Sequence, residues 1–132
     1  MTNNGTVNLT GGTLTATTGF SNTGTLTQTG GTLAGGTLAN TSTVNANGGT
    51  ISAAVSNSAA FNVGGSVTGS NSFSNNAGGT LAIAAAGNYS GLTSLSNAGA
   101  VTLAAGGRLG AASYLQTGAG AVDNTEIGRA HV

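Results

Sequence analysis

The stretch Phe20-Ser21-Asn22-Thr23-Gly24-Thr25-Leu26-Thr27-Gln28-Thr29-Gly30-Gly31-Thr32-Leu33 decides the fold. It opens on a hydrophobe, one spacer and Asn, passes through an alternating segment, turns at a Gly pair and resumes with a hydrophobe two residues later. In Thr25-Leu26-Thr27-Gln28-Thr29 every second residue points the same way, as a half-buried strand requires. Gly30-Gly31 permits positive φ and a tight corner. Asn22 suits the other corner, because Asn tolerates the left-handed conformation and its amide can bond the adjacent turn.

The same opening recurs as Met1-Thr2-Asn3, Leu38-Ala39-Asn40, Val55-Ser56-Asn57, Phe73-Ser74-Asn75, Leu95-Ser96-Asn97 and Val122-Asp123-Asn124, with successive Asn residues 19, 18, 17, 18, 22 and 27 positions apart. Repetition at this period marks a solenoid, in which each unit stacks only on its neighbours. Aligned on the Asn, the units place Val7, Leu26, Val44, Phe61 and Val101 four residues later. Two further on come Leu9, Gln28, Ala46, Val63, Leu81 and Leu103. Gly pairs follow at Gly11-Gly12, Gly30-Gly31, Gly48-Gly49, Gly64-Gly65 and Gly106-Gly107, and then Leu14, Leu33, Ile51, Val67 and Leu109. The register predicts one inward column from Val7, Leu26, Val44, Phe61 and Val101, and another from Phe20, Leu38, Val55, Phe73, Leu95 and Val122. Gln28, in an otherwise apolar column, reads as a corner position or a tolerated exception. Asn residues stacked at equal height can form a ladder, since each amide carries both donor and acceptor.

Two or three short strands per unit give an all-β fold, a right-handed parallel β-helix (β-solenoid) of about six coils of 17–27 residues. Coils stacked about 4.8 Å apart make a rod on the order of 29 Å long. The two long units, Asn75 to Ser96 and Asn97 to Asp123, contain the only Tyr residues, Tyr89 and Tyr114. Extra residues in a solenoid commonly leave as loops on one face, and both rings are expected to cover corners.

Composition narrows the class further. Charged residues are 3% of the chain, against about 25% in an ordinary domain. There are 25 Gly and no Pro or Cys, yet 38% of the chain is hydrophobic and net charge is zero, which is not the signature of disorder. Thr, Asn, Ser and Gly compete badly in helix interiors, so strand and turn remain. Without a basic or acidic excess there is no electrostatic footprint for nucleic acid or anionic lipid. No apolar run approaches the roughly 20 residues of a membrane span, and no secretion signal opens the chain.

The last residues, Glu126-Ile127-Gly128-Arg129-Ala130-His131-Val132, hold two of the four charged side chains and the sole His. They resemble the translation of a short-read sequencing adapter, in which ATC GGA AGA GCA CAC GTC reads Ile-Gly-Arg-Ala-His-Val. This divides the chain into residues 1–125, a β-helix fragment of a longer array, and residues 126–132, a read-through tail expected to carry little order. The other reading of the tail is a polar C-terminal cap.

Chemistry is sparse in this chain. Outside the tail only Arg108 and Asp123 are charged, whereas acid–base hydrolysis needs two carboxylates at matched distance. Calcium nonapeptides place Asp after their Gly-rich turns; here Thr, Ser or Arg follows each Gly pair. No Lys follows to make a phosphate loop. A Ser-His-Asp site would require Asp123 and His131, and nothing in the pattern holds them together. The sequence thus offers no catalytic, cofactor-binding or metal-ligating residue, and no enzyme is expected. Thr6, Thr25 and Thr43 share a column, as on the Thr-x-Thr faces of insect-type ice-binding β-helices, but Ala60 and Ala100 interrupt it.

Units such as Asn22-Thr23-Gly24-Thr25-Leu26 and Gly30-Gly31-Thr32-Leu33 resemble passenger repeats of bacterial autotransporters and filamentous-haemagglutinin-type exoproteins. Asn88-Tyr89-Ser90-Gly91-Leu92-Thr93-Ser94-Leu95 is similar to the Tyr-x-Gly-x-Thr step of passenger-associated repeats. The resemblance spans residues 1–125 and is one of repeat style. It implies a structural or adhesive extracellular β-helix, exported by an outer-membrane β-barrel translocator and displayed or shed. Its partner would be a host or surface ligand such as a glycan or protein, and uncapped coil ends would self-associate. The alternatives are a non-catalytic part of a carbohydrate-active β-helix and a flat-face, ice-binding-like binder.

Overall fold

The computed structural model describes residues 1–117 together with the strands Ala121–Asn124 and Ala130–His131. Every described element is a strand, and every pairing is parallel. Each turn of the chain lays down three strands. The Asn face is a seven-stranded sheet of Thr2–Asn3, Phe20–Asn22, Leu38–Asn40, Val55–Asn57, Ser72–Asn75, Ser94–Asn97 and Tyr114–Gln116. A second face stacks Thr6–Leu9, Thr25–Gln28, the first parts of Thr43–Ile51 and Ala60–Gly69, Thr80–Ile83, Ala100–Leu103 and Ala121–Asn124. The third stacks Thr13–Ala16, Thr32–Gly35, the later parts of Thr43–Ile51 and Ala60–Gly69, Asn88–Leu92, Arg108–Ala111 and Ala130–His131. Two strands round the corner unbroken, which joins the second and third faces into one twelve-stranded sheet. The architecture is a parallel β-helix of about six coils.

Alternation puts the core inside. Leu26, Val44, Phe61, Leu81 and Val101 are wholly buried in one column, with Val7 half-buried at its N-terminal end. Phe20, Leu38, Val55, Phe73 and Leu95 form the second expected column and are also buried. Each large side chain so placed contributes about 1.5–3 kcal/mol. Parallel sheets are commonly apolar on both sides; here the outer side meets solvent, so Thr, Ser and Asn occupy the alternate positions.

Four local expectations change. Leu81 pairs with Phe61 and Val101, so it belongs to the first column, and Ile83 takes the place expected for it beside Val63 and Leu103. The shift comes from a turn at Asn76–Gly79, closed by the Gly79 N–H donating to the Asn76 carbonyl at 2.8 Å. Val122 pairs with Val101 and so lies on the second face, not in the Phe20 column. Tyr114-Leu115-Gln116 pairs with Leu95-Ser96-Asn97 instead, setting Gln116 19 residues after Asn97. The expected 27-residue unit therefore merges a 19-residue coil with the next strand.

Third, Val67 pairs with Gly49, and Gly69 with Ile51, because two residues, Gly64 and Gly65, oppose the single Asn47 in a bulge. Neither glycine of that pair has positive φ. Fourth, the long units do not extrude loops carrying Tyr. Their extra residues close tight corners, with Gly87 donating to Ala84 and Gly107 to Ala104, each at 2.8 Å. Tyr89 is fully buried in a strand and Tyr114 is half-buried in the Leu95 column. The tail expectation falls outside the described residues except for Ala130–His131, which pairs with Leu109 and Gly110.

Gly12 and Gly31 share φ +68, yet a Cβ on Gly12 would meet nothing within 4 Å while one on Gly31 would press into the Gly11 and Gly12 backbone. We expect Gly12→Ala to destabilise by about 1–2 kcal/mol, the left-handed strain alone. Gly31→Ala should lose more, because backbone below it must shift. Equilibrium urea unfolding of both variants checks the order, and equal losses would show that coil stacking leaves slack at this corner.

Candidate functional site

The most developed constellation in the molecule is polar and lies inside it. Asn3, Asn22, Asn40, Asn57, Asn75 and Asn97 are all buried. From Asn22 to Asn97 each stands two residues after a buried hydrophobe, Phe20, Leu38, Val55, Phe73 or Leu95, so strand alternation turns it inward too. Each Nδ2 donates to the amide oxygen of the next coil: Asn3 to Asn22 at 2.8 Å, Asn22 to Asn40 at 2.9 Å, Asn40 to Asn57 at 2.8 Å, Asn57 to Asn75 at 2.8 Å and Asn75 to Asn97 at 2.8 Å. Asn97 then donates to Gln116 Oε1 at 3.1 Å. A second N–H reaches a backbone carbonyl of the next coil, as from Asn22 to Thr43 at 2.8 Å and Asn40 to Ala60 at 2.9 Å.

The Asn oxygens also hold their own corner, where the Gly5, Ser42 and Gly99 N–H groups donate to Asn3, Asn40 and Asn97 Oδ1 at 3.1, 3.3 and 3.2 Å. The left-handed Asn conformation expected from sequence is not used: no described non-Gly residue has positive φ. The side chain makes the turn by accepting the N–H two residues on, so the backbone needs no strain. Buried polar groups must be paired, and this ladder pairs them along the rod axis.

Gln28 supports the opposite corner. It is wholly buried, and its Nε2 donates to the Gly31 carbonyl at 3.2 Å and to the Thr50 carbonyl of the next coil at 3.0 Å. Its Oε1 has no partner. It is a structural bracket and not a ligand-facing group.

Outside, the faces carry hydroxyl and amide columns. On the second face Thr6, Thr25, Thr43, Ala60, Thr80 and Ala100 are in register, with Thr80 supplied by the corrected alignment. A longer hydroxyl run lies on the third face, where Thr13, Thr32, Thr50, Thr68 and Ser90 follow one another without a break. Sequence reading missed this column. Its first three members follow Gly pairs, and the bulge displaces the fourth by two positions, so the signal was present but out of phase.

At the corner between these faces an open groove of about 430 Å³ is lined by Asn47, Asn62, Val63, Gly64, Ala82, Ile83, Ala84, Thr102, Leu103 and Ala104. None of its lining residues titrates. Arg108 is exposed, and it is the one charged side chain among residues 1–117. Asp123 pairs with Thr102 on the second face and His131 with Gly110 on the third, so the register does not bring them together. Among the described residues no cluster of His, Cys, Asp or Glu could hold a metal, and no helix is long and apolar enough to cross a membrane. Burial pushes the Tyr89 phenol well above its ordinary pKa, and this side chain lies in the core with Phe61 and Phe73. The chain matches no protein-family model, no curated protein and no solved structure.

Proposed function

We propose that this chain is a structural, adhesive segment of a surface-displayed or secreted bacterial protein, a passenger-like rod that carries no catalysis itself. The axial Asn ladder carries the reading. It commits the buried polar groups to joining each coil to the next, which is the chemistry of a stalk. The uncharged Thr, Ser and Asn exterior supports contact with a glycan or protein surface through many weak hydrogen bonds. In this reading the full-length protein is exported through an outer-membrane β-barrel, and the resemblance of the repeats to autotransporter passengers supports that assignment.

The test is retention of particles coated with the chain on glycan- and protein-coated surfaces. Retention above that of particles coated with an unrelated uncharged protein is expected. A double substitution of the outward Thr32 and Thr50 by Lys should reduce it several-fold with unchanged circular dichroism. Retention no better than the control on every coating would sink the adhesive reading.

The unbroken third-face hydroxyl column favours a second reading, a flat-face binder of a periodic solid such as ice. Neighbouring hydroxyls repeat at about 4.8 Å along the rod. Thermal hysteresis that disappears in the same Thr32/Thr50 variant is the outcome that would put this reading first.

A further inference from the structure

In the strand Thr43–Ile51 every residue pairs with a neighbouring coil except Asn47. Toward Ala60–Gly69 the register jumps from Ala46 to Gly48, and toward the preceding coil it stops at Ala46 and resumes at Thr50. Asn47 is also exposed and lines the corner groove. Its amide oxygen lies over Gly64, where a Cβ would collide with it, and no hydrogen bond holds that amide among the described residues. The residue that follows is Gly48.

An exposed, unheld amide next to Gly is a reactive pair. The backbone nitrogen after an Asn can reach the side-chain carbon to close a cyclic imide, and within one chain this needs no encounter. A Cβ on that next residue crowds the closure, and Gly has none. The sequence holds two Asn-Gly pairs, Asn4-Gly5 and Asn47-Gly48. At the first, both reacting groups are engaged: the Gly5 N–H donates to Asn3 Oδ1 at 3.1 Å, and Asn4 Oδ1 accepts from Thr23 Oγ1 at 2.6 Å. The ladder residues from Asn3 to Asn97 are each followed by Asn, Thr, Ser or Ala, and their amides are paired.

We propose that Asn47 is a site of spontaneous covalent modification, where the folded chain converts its own amide to a carboxylate through a cyclic imide with Gly48. The Gly48 nitrogen bonds to Asn47 Cγ, the Cγ–Nδ2 bond breaks, and the Gly48 proton leaves with the departing ammonia. Water then opens the ring at either carbonyl, giving aspartate or its β-linked isomer. One water is consumed and one ammonia released. Closure requires the Asn47–Gly48 peptide to rotate out of its extended setting. Asn47 is unpaired and Gly48 pairs only with Ser66, so this rotation gives up little, where mid-strand it would disturb pairs on both sides. The product places a negative charge in the groove, on a rod whose one charged side chain among residues 1–117 is Arg108.

The full chain, incubated folded in mildly alkaline buffer, is followed by isoelectric focusing and peptide mass mapping. A more acidic band should appear, with the amide-to-acid mass gain in the peptide that holds Asn47. Conversion there should run roughly tenfold ahead of Asn4, whose reacting groups are held apart. In the Asn47→Ser chain the acidic band should be delayed by the same factor. In urea the two pairs should convert at like rates, because the contacts that distinguish them are gone. A band that maps first to Asn4, or that forms as fast in the Asn47→Ser chain, would overturn the assignment. Conversion of Asn47 confined to the urea-unfolded chain would overturn it too, since the corner would then be held as firmly as the strands. A preference for Asn47 that persists in urea would show that local sequence, and not the unpaired corner, selects it.

Discussion

Replacing Asn57 by Asp is expected to unfold the middle of the rod at neutral pH and to leave it partly folded in acid. Asn57 Nδ2 donates to the Ala59 carbonyl at 2.9 Å, Asn75 Oδ1 at 2.8 Å and the Thr80 carbonyl at 3.1 Å, while its oxygen accepts from Asn40 at 2.8 Å. A carboxylate keeps the last contact and turns the first three into oxygen facing oxygen in a dry site. Burying an unpaired charge costs more than losing a hydrogen bond. The expected loss at pH 7 is about 4–6 kcal/mol, a large fraction of the roughly 5–15 kcal/mol that holds a domain together.

Burial among carbonyls raises the folded-state pKa of that Asp above its unfolded value. The pH-dependent part of the loss therefore returns as pH falls through the raised folded pKa and has returned in full below the unfolded one. The single O–H of the acid, in place of two N–H groups, keeps the rod only partly folded. Asn57→Ala, which leaves partners unpaired but adds no charge, should lose about 3–4 kcal/mol with no such pH dependence. Urea midpoints from pH 3 to pH 8 separate the two. An Asp variant whose stability does not rise toward acid would mean that water reaches the ladder.

How much of this was legible depends on which coil is read. From Asn3 to Asn57 the spacing is nearly constant, and the columns through Leu26, Val44 and Phe61 follow from counting. Beyond Asn75 counting fails for physical reasons. A turn at Asn76–Gly79 moves Leu81 by two positions without changing its neighbours in space. Gln116 replaces Asn as the ladder's acceptor, since a longer amide at the end of the stack reaches the same partner. A motif defined by Asn therefore skips it and settles on Val122-Asp123-Asn124, one face away.

The inward position of the Asn residues was readable from parity, because Phe20 and Asn22 must point the same way. Which outward column forms a continuous surface was not, because the bulge at Gly64-Gly65 changes the phase between coils. The complementarity of Gly69 and Tyr89 was equally out of reach, since it depends on two residues that do not pair. A Cβ on Gly69 would lie 2.7 Å from Leu92 Cδ2 and 3.2 Å from Tyr89 Cε2. The missing side chain in one coil makes room for the ring of the next.

That ring carries the second large effect. Tyr89 is wholly buried, stacked on Phe61 at 5.9 Å between centroids and edge-on to Phe73 at 5.8 Å. Phe61 and Phe73 meet edge-on at 4.9 Å, so the three rings fill the core where the coils lengthen. Tyr89→Ala should lose about 3–5 kcal/mol, because close-packed coils above and below cannot collapse into the space. Tyr89→Phe should do the reverse. The phenol oxygen is buried without a partner, and an unpaired buried hydroxyl costs about 1–3 kcal/mol. Removing it keeps the ring contacts and should stabilise by about 1 kcal/mol. Thermal and urea unfolding of the two variants measure both signs at once. A Tyr89→Phe chain less stable than the parent would show that the hydroxyl is hydrogen-bonded in solution, and the aromatic packing would then account for less of what Tyr89→Ala loses.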